Sequence, residues 1–333
     1  MNDQPVAPAP RSEASPQADS PQATPRRSTA RIVRRPVHGV LLLDKPLGLT
    51  SNHALQRARW LLRAEKAGHT GTLDPLASGL LPLCFGAATK FSQVSLDADK
   101  AYRATLQLGQ RSDTGDGEGR ITAGAPPAFD FDALAAACRA LTGPIAQVPP
   151  MHSALKKDGK ALYAYARAGL AVERAPRRVT ILRLDVVEWQ ADRLVIDVVC
   201  SKGTYVRTLA ADLGDALGCG AWLRALRRTA SGPLRIEQAI TLDALETLDE
   251  AGRDALLLPP DVLLADWPVL RLPDDEAGRF LSGLRRRVSA PDAPAVRVYG
   301  PEARAFLGSA HITAGELIAD RLLSPLEVHA IAA

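Results

Sequence analysis

The sequence predicts a mixed α/β (α+β) domain followed by a small β-rich C-terminal unit. Residues 39–44 read Gly-Val-Leu-Leu-Leu-Asp, which is typical of a buried strand. Residues 101–109 alternate between apolar and polar side chains, the pattern of a half-exposed strand. After a Leu-Pro-Pro linker at 258–260, short strand-like pieces at 269–272 and 295–299 alternate with turns.

The first helix is predicted directly after the first strand and a turn. Thr50 or Ser51 can cap its N-terminus, because a side-chain hydroxyl can accept a hydrogen bond from a free backbone amide. Apolar residues then recur at helical spacing and share one face, which we expect to be buried; these residues are Ala54, Leu55, Ala58, Leu61 and Leu62.

Two further helices and a strand pair are predicted in the middle of the chain. Residues 130–141 form a short amphipathic pattern that Gly143 and Pro144 end. Residues 182–188 and 194–200 are predicted to be paired strands. A turn at 201–203 then leads into a helix that Gly218 ends; its apolar face comprises Val206, Leu209, Ala210, Leu213 and Leu217.

Basic residues are concentrated in two segments, although the net charge of the 333-residue chain is only +4. Residues 1–36 carry six basic and three acidic side chains, are rich in Pro, Ala, Ser and Gln, and lack apolar periodicity. This composition predicts a disordered basic tail. Residues 151–180 carry seven basic and two acidic side chains. Such a local excess suits an RNA-binding surface, although a solvated surface loop has the same composition.

Cysteine usage and hydropathy favour a cytoplasmic protein. The four cysteines are scattered without a C-x-x-C pair, so neither a disulfide framework nor a zinc site is predicted. No apolar run approaches the roughly 18 residues that a membrane helix needs. The first ten residues also lack the apolar core of a secretory signal.

Asp74 lies in a loop of small and turn-forming residues. Gly68, Gly71 and Gly79 permit unusual backbone angles, and Pro75 stiffens the position after the acid. A carboxylate on such a loop can reach into a cleft. An Asp before Pro is more often a turn residue or a helix cap, so the loop alone does not distinguish these alternatives.

This loop and four other blocks resemble the bacterial tRNA pseudouridine-55 synthases. Residues 68–81, GHTGTLDPLASGLL, match the active-site motif of that family nearly residue for residue. The blocks at 44–51, 101–103, 200–209 and 226–228 resemble its other motifs in the family's order. The resemblance covers about residues 37–240, and chance agreement of five ordered blocks is negligible.

The resemblance implies a role for each matching residue. Asp74 matches the catalytic aspartate that attacks the target nucleotide, and Arg207 matches the arginine that pairs with it. Tyr102 matches the aromatic residue that stacks on the flipped uracil and can take part in proton transfer from C5. Leu226 matches an apolar residue near the base. These roles are chemically coherent, because a stacked base must be extruded to react and a guanidinium favours an ionised carboxylate.

Further matches concern the surroundings of the target base. His69 matches a histidine that fills the space left by the extruded base, and Lys45 matches a motif lysine beside the active site with a more structural role. Residues 149–156 resemble the segment that leads into an RNA-gripping thumb, although the family often has tyrosine where this chain has His152. Phosphate contacts are expected from the insert's lysines, which are Lys156, Lys157 and Lys160.

The implied fold has two domains after the tail. Residues 37–260 would form a pseudouridine synthase-type catalytic domain with a mixed, largely antiparallel sheet flanked by helices. A thumb-like insert would occupy about residues 147–178 of it. Residues 261–333 would form a PUA-like RNA-binding domain, for which the match is looser and no residues are carried over.

The implied reaction converts uridine 55 in the T-loop of tRNA to pseudouridine. The partner is the T-arm stem-loop of tRNA, and neither a protein partner nor a membrane is implied. Breaking the glycosidic bond and joining C5 to C1′ is redox-neutral and needs no activated water, so no metal or nucleotide cofactor is expected. Whether Asp74 first attacks C1′ or C6 stays open.

Two other functions also stay open at this point. A non-catalytic RNA-folding chaperone could use the same surface, although an intact set of Asp74, Tyr102 and Arg207 argues against that as the sole role. The second alternative is a pseudouridine synthase of another specificity, including the RNA-guided relatives. The size of the chain and its continuous thumb-like insert favour the stand-alone tRNA type.

Residues 113–119, Asp-Thr-Gly-Asp-Gly-Glu-Gly, superficially suggest a calcium-binding loop. An EF-hand needs acidic or amide residues at 115 and 117, where glycines stand. The sequence therefore assigns no functional role to this segment.

Overall fold

The computed structural model describes residues 33–153, 155–170, 172–302 and 305–332. Most of the predicted tail, residues 1–32, lies outside the described residues. Within the ranges that are described, no helix has both the length and the apolar character needed to span a membrane.

Contacts of the folded part begin at Arg34 rather than at residue 37. The Arg34 Nη1 atom donates to the Ala64 carbonyl at 2.9 Å. Arg35 Nη1 donates to the Asp254 carboxylate at 2.8 Å, and the Arg35 amide donates to the Arg63 carbonyl at 2.8 Å. The last residues of the predicted tail therefore take part in the fold.

The chain up to residue 264 contains most of the regular structure. The strands are β1 (Gly39–Lys45), β2 (Ala67–His69), β3 (Ala77–Phe85), β4 (Lys100–Leu108), β5 (Gln110–Ser112), β6 (Ile121–Ala123), β7 (Gly143–Gln147), β8 (Lys156–Lys157), β9 (Lys160–Ala161), β10 (Arg177–Gln190), β11 (Arg193–Cys200), β12 (Ala221–Ser231), β13 (Leu234–Arg235) and β14 (Ile240–Thr241). The helices are α1 (Ser51–Leu61), α2 (Ser92–Asp97), α3 (Phe131–Ala140), α4 (Leu162–Arg167), α5 (Val206–Ala216), α6 (Leu242–Thr247) and α7 (Glu250–Asp254). Short 3-10 helices cover Gly86–Phe91, Ile236–Gln238 and Pro260–Leu264.

Ten of these strands build one mixed sheet. The strand order is β14-β1-β3-β12-β4-β11-β10-β7, with β2 beside β3 and β13 beside β12. The β1/β14 and β3/β12 pairs are parallel, and the remaining pairs of this sheet are antiparallel. The expected mixed, largely antiparallel sheet is therefore confirmed.

Strand β1 is apolar from Val40 to Leu43 because both of its faces are buried there. Leu41 and Leu43 pack into a core that α1 covers, whereas Val40 and Leu42 point to the other face. There they share a core with Phe306 from the C-terminal part of the chain. A strand covered on both sides has no solvent-facing positions, so the polar alternation seen in half-exposed strands is missing.

The three predicted helices are present with the expected ends. The Thr50 hydroxyl accepts from the His53 amide at the start of α1 at 3.1 Å. The Asp130 carboxylate accepts from the Ala133 amide at the start of α3 at 2.8 Å. After α5 the chain turns at Gly218, whose φ of 73° is readily adopted by glycine. Helices α3 and α5 pack with β4 and β11 in one core.

The C-terminal part of the chain forms a second sheet. Its elements are β15 (Val269–Arg271), α8 (Asp274–Leu281), β16 (Arg286–Arg287), β17 (Ala293–Tyr299), β18 (Phe306–Thr313), β19 (Glu316–Leu322) and α9 (Pro325–Ala332). The strand order is β15-β17-β18-β19-β16, around a core of its own. The expected β-rich C-terminal unit is thus confirmed, while the domain boundaries stay predictions.

The centre of the large sheet brings distant segments of the sequence together. Tyr102 on β4 and Leu226 on β12 each pack against the two cores that the helices cover. Leu226 lies opposite Ala104 of β4 and Ala77 of β3. The blocks at 68–81, 101–103 and 226–228 consequently meet at one place.

Candidate active site

The loop between β2 and β3 holds Asp74 close to the place where β3, β12 and β4 meet at the centre of the large sheet. The Ser51 hydroxyl, at the start of α1, accepts from the Leu73 amide at 2.7 Å and donates to the Leu73 carbonyl at 3.0 Å. On the other side of Asp74, the Gly48 amide donates to the Pro75 carbonyl at 2.8 Å. The backbone is thus anchored on both sides of Asp74, whose side chain remains 45% exposed.

Glycine is required at two of the three predicted positions around this loop. Gly71 has a φ of 105° and Gly79 a φ of 100°, in the region that other residues rarely adopt. A Cβ atom at Gly79 would lie 2.3 Å from the Arg228 carbonyl oxygen, so β3 can approach β12 here only without a side chain. Gly68 lies in the regular strand β2 instead.

Arg207 forms the ion pair that the resemblance implies. Its Nη2 atom lies 2.9 Å from Asp74 Oδ2, and its side chain is only 7% exposed. The position on the first turn of α5 is therefore not a surface position. The same Nη2 atom donates to the His152 carbonyl at 2.7 Å. Because this contact uses the backbone of residue 152, it does not depend on whether histidine or tyrosine stands there.

Asp116 is a second carboxylate on Arg207, and sequence reasoning missed it. Its Oδ2 atom accepts from Arg207 Nη1 at 3.0 Å, and its side chain is 2% exposed. Asp116 is held in place because its Oδ1 atom accepts from the Thr114 hydroxyl at 2.6 Å and the Glu118 amide at 3.1 Å. The segment that resembles a calcium-binding loop thus places a carboxylate against the Arg207 guanidinium. Nothing local in the sequence connects Asp116 to Arg207, which is 91 residues away.

Four of the predicted site residues line one cavity of about 170 Å³. They are Asp74, Tyr102, Arg207 and Leu226. A water molecule's share of liquid volume is about 30 Å³, so this space admits several water molecules or a planar ring. The other residues of the wall are Thr72, Leu73, Ala77, Ser153, Thr204, Tyr205 and Val206.

Lys45 and His69 lie near this cavity but outside its wall. Lys45 is fully buried, and its ammonium donates to the Pro46 carbonyl at 2.9 Å and the Leu49 carbonyl at 2.7 Å. Burial lowers the pKa of Lys45 to about 8, although the negative charge of Asp74 opposes this shift. Burial likewise lowers the pKa of His69, at the end of β2.

The three predicted lysines lie on a separate hairpin. Lys156 and Lys157 form β8, and Lys160 begins β9. All three side chains are exposed, and the Lys160 ammonium lies 4.9 Å from the centre of the Tyr165 ring. The structure therefore places them on the surface and not with the cavity residues.

The family profiles that match the chain cover most of its length. Residues 59–206 match a profile described as "TruB family pseudouridylate synthase (N terminal domain)". Residues 207–265 match "tRNA pseudouridylate synthase B C-terminal domain", and residues 268–323 match "Pseudouridine synthase II TruB, C-terminal". A protein of Verminephrobacter eiseniae named tRNA pseudouridine synthase B is 58% identical over 316 residues, which are 93% of this chain and 96% of that protein.

The chain belongs to the tRNA pseudouridine synthase B family. A protein of the same name from Burkholderia lata is 55% identical over 92% of this chain and 96% of its own length. The fold is also found in the crystal structure of a Cbf5-Nop10-Gar1 complex, with a TM-score of 0.67, 24% identity and 87% of each chain covered. A structure of an H/ACA RNP bound to a substrate RNA gives a TM-score of 0.65 at 23% identity, covering 87% of this chain and 86% of that chain. At these identities the two structures show the pseudouridine synthase fold alone.

This family member has another buried cation, Arg228, beside Tyr102. The two residues are direct partners on the adjacent strands β12 and β4. Arg228 is 1% exposed and donates from Nε to the Leu80 carbonyl at 2.6 Å and from Nη2 to the Gly71 carbonyl at 3.1 Å. Burial raises the pKa of Tyr102, whereas the charge of Arg228 and a hydrogen bond from it act in the opposite direction.

We expect Asp116→Asn to slow single-turnover pseudouridine formation at least about 10-fold, which corresponds to ~1.4 kcal/mol. The amide keeps the size of the side chain but removes the charge that balances Arg207 on the side away from Asp74. Affinity for tRNA should stay close to that of the wild type, because Asp116 is buried. Rapid-quench single-turnover kinetics and a filter-binding titration measure the two effects.

Asp113→Asn is the matched control for this prediction. Asp113 lies in the same loop, and its carboxylate accepts from the Arg120 amide at 2.9 Å. We expect the wild-type rate from this variant. A wild-type rate from Asp116→Asn as well would mean that the second carboxylate has no part in holding Arg207 for catalysis.

Proposed function

We propose that the protein converts uridine 55 in the T-loop of tRNA to pseudouridine, with Asp74 as the nucleophile. The observation that carries this proposal is the Asp74–Arg207 ion pair of 2.9 Å at a cavity flanked by Tyr102 and Leu226. It occurs in a chain that is 58% identical to a protein named tRNA pseudouridine synthase B.

The cavity suits an extruded base. A uridine inside a helical stack exposes neither its ribose C1′ atom nor its uracil C6 atom to a side chain, so the nucleotide has to leave the stack before it reacts. Tyr102 offers a flat ring and Leu226 an apolar surface in one wall. We assign stacking on the uracil to Tyr102, an apolar contact beside the base to Leu226, and to His69 the space that the base leaves in the RNA.

The reaction breaks the N1–C1′ bond of the nucleoside and forms a C5–C1′ bond. Asp74 attacks either C1′ or C6, and the uracil turns so that C5 faces C1′. The new carbon–carbon bond leaves a proton on C5, which has to be removed, and the Tyr102 phenol at the cavity can assist. N1, freed from C1′, takes up a proton, so the product has the same composition as the substrate and the reaction is an isomerisation in which the C5 hydrogen is released to solvent.

Arg207 keeps Asp74 ionised and oriented. A guanidinium beside a carboxylate favours the charged form, which is the nucleophilic one. A guanidinium bound to that carboxylate alone would also withdraw electron density from it. Arg207 also pairs with buried Asp116, which already balances part of the positive charge of Arg207. The Asp74 carboxylate therefore keeps more of its electron density.

RNA affinity is expected to come from outside the cavity. We assign phosphate contacts to the exposed lysines of the β8–β9 hairpin and a supporting role to Lys45, whose ammonium holds the turn at 46–49. We place the protein in the cytoplasm, because its four cysteines are buried and unpaired thiols.

The substrate is tested by mapping pseudouridine in total tRNA. Unmodified tRNA is incubated with purified protein, and pseudouridines are located by chemical labelling and sequencing. We expect one new pseudouridine per tRNA, in the T-loop at position 55. Modification at other positions only would establish a synthase of another specificity. Binding and refolding of tRNA without any modification would establish a chaperone and contradict the proposal.

Neutralising Lys156, Lys157 and Lys160 together to glutamine should raise the Michaelis constant more than it lowers the single-turnover rate. Phosphate contacts position RNA without taking part in the chemistry. The dependence of the binding constant on salt should also become less steep, by up to about 0.9 log units for each phosphate of a duplex region that is no longer neutralised. Filter binding at several salt concentrations measures this slope.

The control for this variant changes Arg139, Arg183 and Arg193 to glutamine, which alters the net charge of the chain by the same amount. We expect the control to retain the salt dependence of the wild type. An equal decrease in both variants would show that overall charge, and not the hairpin, governs RNA affinity.

A further inference from the structure

The wall of the cavity contains a buried hydroxyl that no described residue satisfies. Ser153 is 5% exposed, and its Oγ atom makes no hydrogen bond of normal geometry with a described residue, although the Tyr205 hydroxyl lies beside it. It lines the same cavity as Asp74, Tyr102 and Arg207. A buried polar group without a partner lowers stability, and natural proteins contain few of them. An unpaired hydroxyl at a substrate cavity therefore indicates that its partner arrives with the substrate.

The backbone holds Ser153 at this position through the catalytic arginine. Arg207 Nη2 donates to the carbonyl of the preceding residue, His152, at 2.7 Å. The Ser153 amide donates to the Met151 carbonyl at 3.0 Å, and the Ser153 carbonyl accepts from the Tyr163 amide at 3.1 Å. The guanidinium that orients Asp74 thus also fixes the position of the serine. The hydroxyl is part of a preorganised site.

We propose that the Ser153 hydroxyl hydrogen-bonds to the target uridine in the cavity and helps to hold it for attack by Asp74. This inference rests on the proposed function and adds a polar binding residue to it. Tyr102 and Leu226 can hold a base by stacking and apolar contact, but such contacts leave its rotation in the plane free. A hydroxyl can donate to a carbonyl oxygen or accept from an N–H group, so it can fix that rotation.

Two polar parts of the uridine can form this hydrogen bond with the Ser153 hydroxyl. The uracil edge carries the O2 and O4 acceptors and the N3–H donor, and the ribose carries a 2′-hydroxyl. The hydrogen bond is the same in both cases, and a substrate that lacks the 2′-hydroxyl at the target position distinguishes them.

The test compares Ser153→Ala with wild type in single-turnover pseudouridine formation on a tRNA transcript. We expect the rate at saturating enzyme to fall about 3- to 10-fold, the decrease typical of removing one neutral hydrogen bond. Thermal stability should be unchanged or higher, because the variant removes a buried hydroxyl that makes no hydrogen bond of normal geometry with the described residues. The combination of slower chemistry and undiminished stability is what a purely structural serine would not produce.

Ser231 provides the matched control. It is 1% exposed and its Oγ atom also lacks a hydrogen-bond partner, but it lies at the end of β12 and does not line the cavity. Ser231→Ala should therefore keep the wild-type rate, with stability unchanged or higher. If it slows the reaction as much as Ser153→Ala does, the effect comes from removing buried hydroxyls in general and the inference fails.

The second arm repeats both rate measurements with 2′-deoxyuridine at the target position. If the Ser153→Ala effect persists on this substrate, the serine contacts the uracil edge, and if it disappears, the serine contacts the ribose. A Ser153→Ala rate equal to that of an active wild type on both substrates would overturn the inference and leave the proposed function intact. A drop in melting temperature with an unchanged rate would assign Ser153 to the fold, as a partner of the neighbouring Tyr205 hydroxyl. An inactive wild type would instead refute the proposed function itself.

Discussion

The site depends on one buried guanidinium that two carboxylates and a backbone carbonyl share. Arg207 lies 2.9 Å from Asp74 and 3.0 Å from Asp116, and it donates to the His152 carbonyl at 2.7 Å. A buried cation is unfavourable unless it is paired and hydrogen-bonded, so these partners are fixed with respect to one another. Asp74, the loop at 113–119 and the backbone at residue 152 consequently form one unit.

The large sheet positions the residues of this site. Asp74 precedes β3, Tyr102 lies on β4 and Leu226 on β12, and these three strands are neighbours in the order β3-β12-β4. Gly79 allows β3 to approach β12 at Arg228. Helix α1 contributes from the other side, because the Ser51 hydroxyl binds the backbone next to Asp74. Elements with ordinary packing roles therefore also hold the Asp74 carboxylate, our proposed nucleophile, in place.

Local features were predictable from the sequence, because they depend on neighbouring residues. The periodicity of α1 and α5 predicted their buried faces. The glycine-rich loop predicted unusual backbone angles, which Gly71 and Gly79 adopt and Gly68 does not. The resemblance to a known family added the pairing of Asp74 with Arg207. Asp116 could not be found in this way, because the contact that gives it a role at the site is with Arg207, 91 residues further along the chain. The contacts of Arg34 and Arg35 were missed for the same reason, since their partners lie in other elements of the fold.

The most direct test of the account is the reaction of Asp74→Asn, in which an amide of nearly equal size replaces the carboxylate. Tritium release from C5-labelled uridine in a tRNA transcript is measured beside a filter-binding titration, with Asp185→Asn, an exposed carboxylate on β10, as the control. We expect turnover of Asp74→Asn to fall below detection while its tRNA affinity stays within about tenfold of wild type, ~1.4 kcal/mol. The control should react normally. Substantial turnover by Asp74→Asn, in a preparation free of host enzyme, would contradict the assignment of Asp74 as the nucleophile.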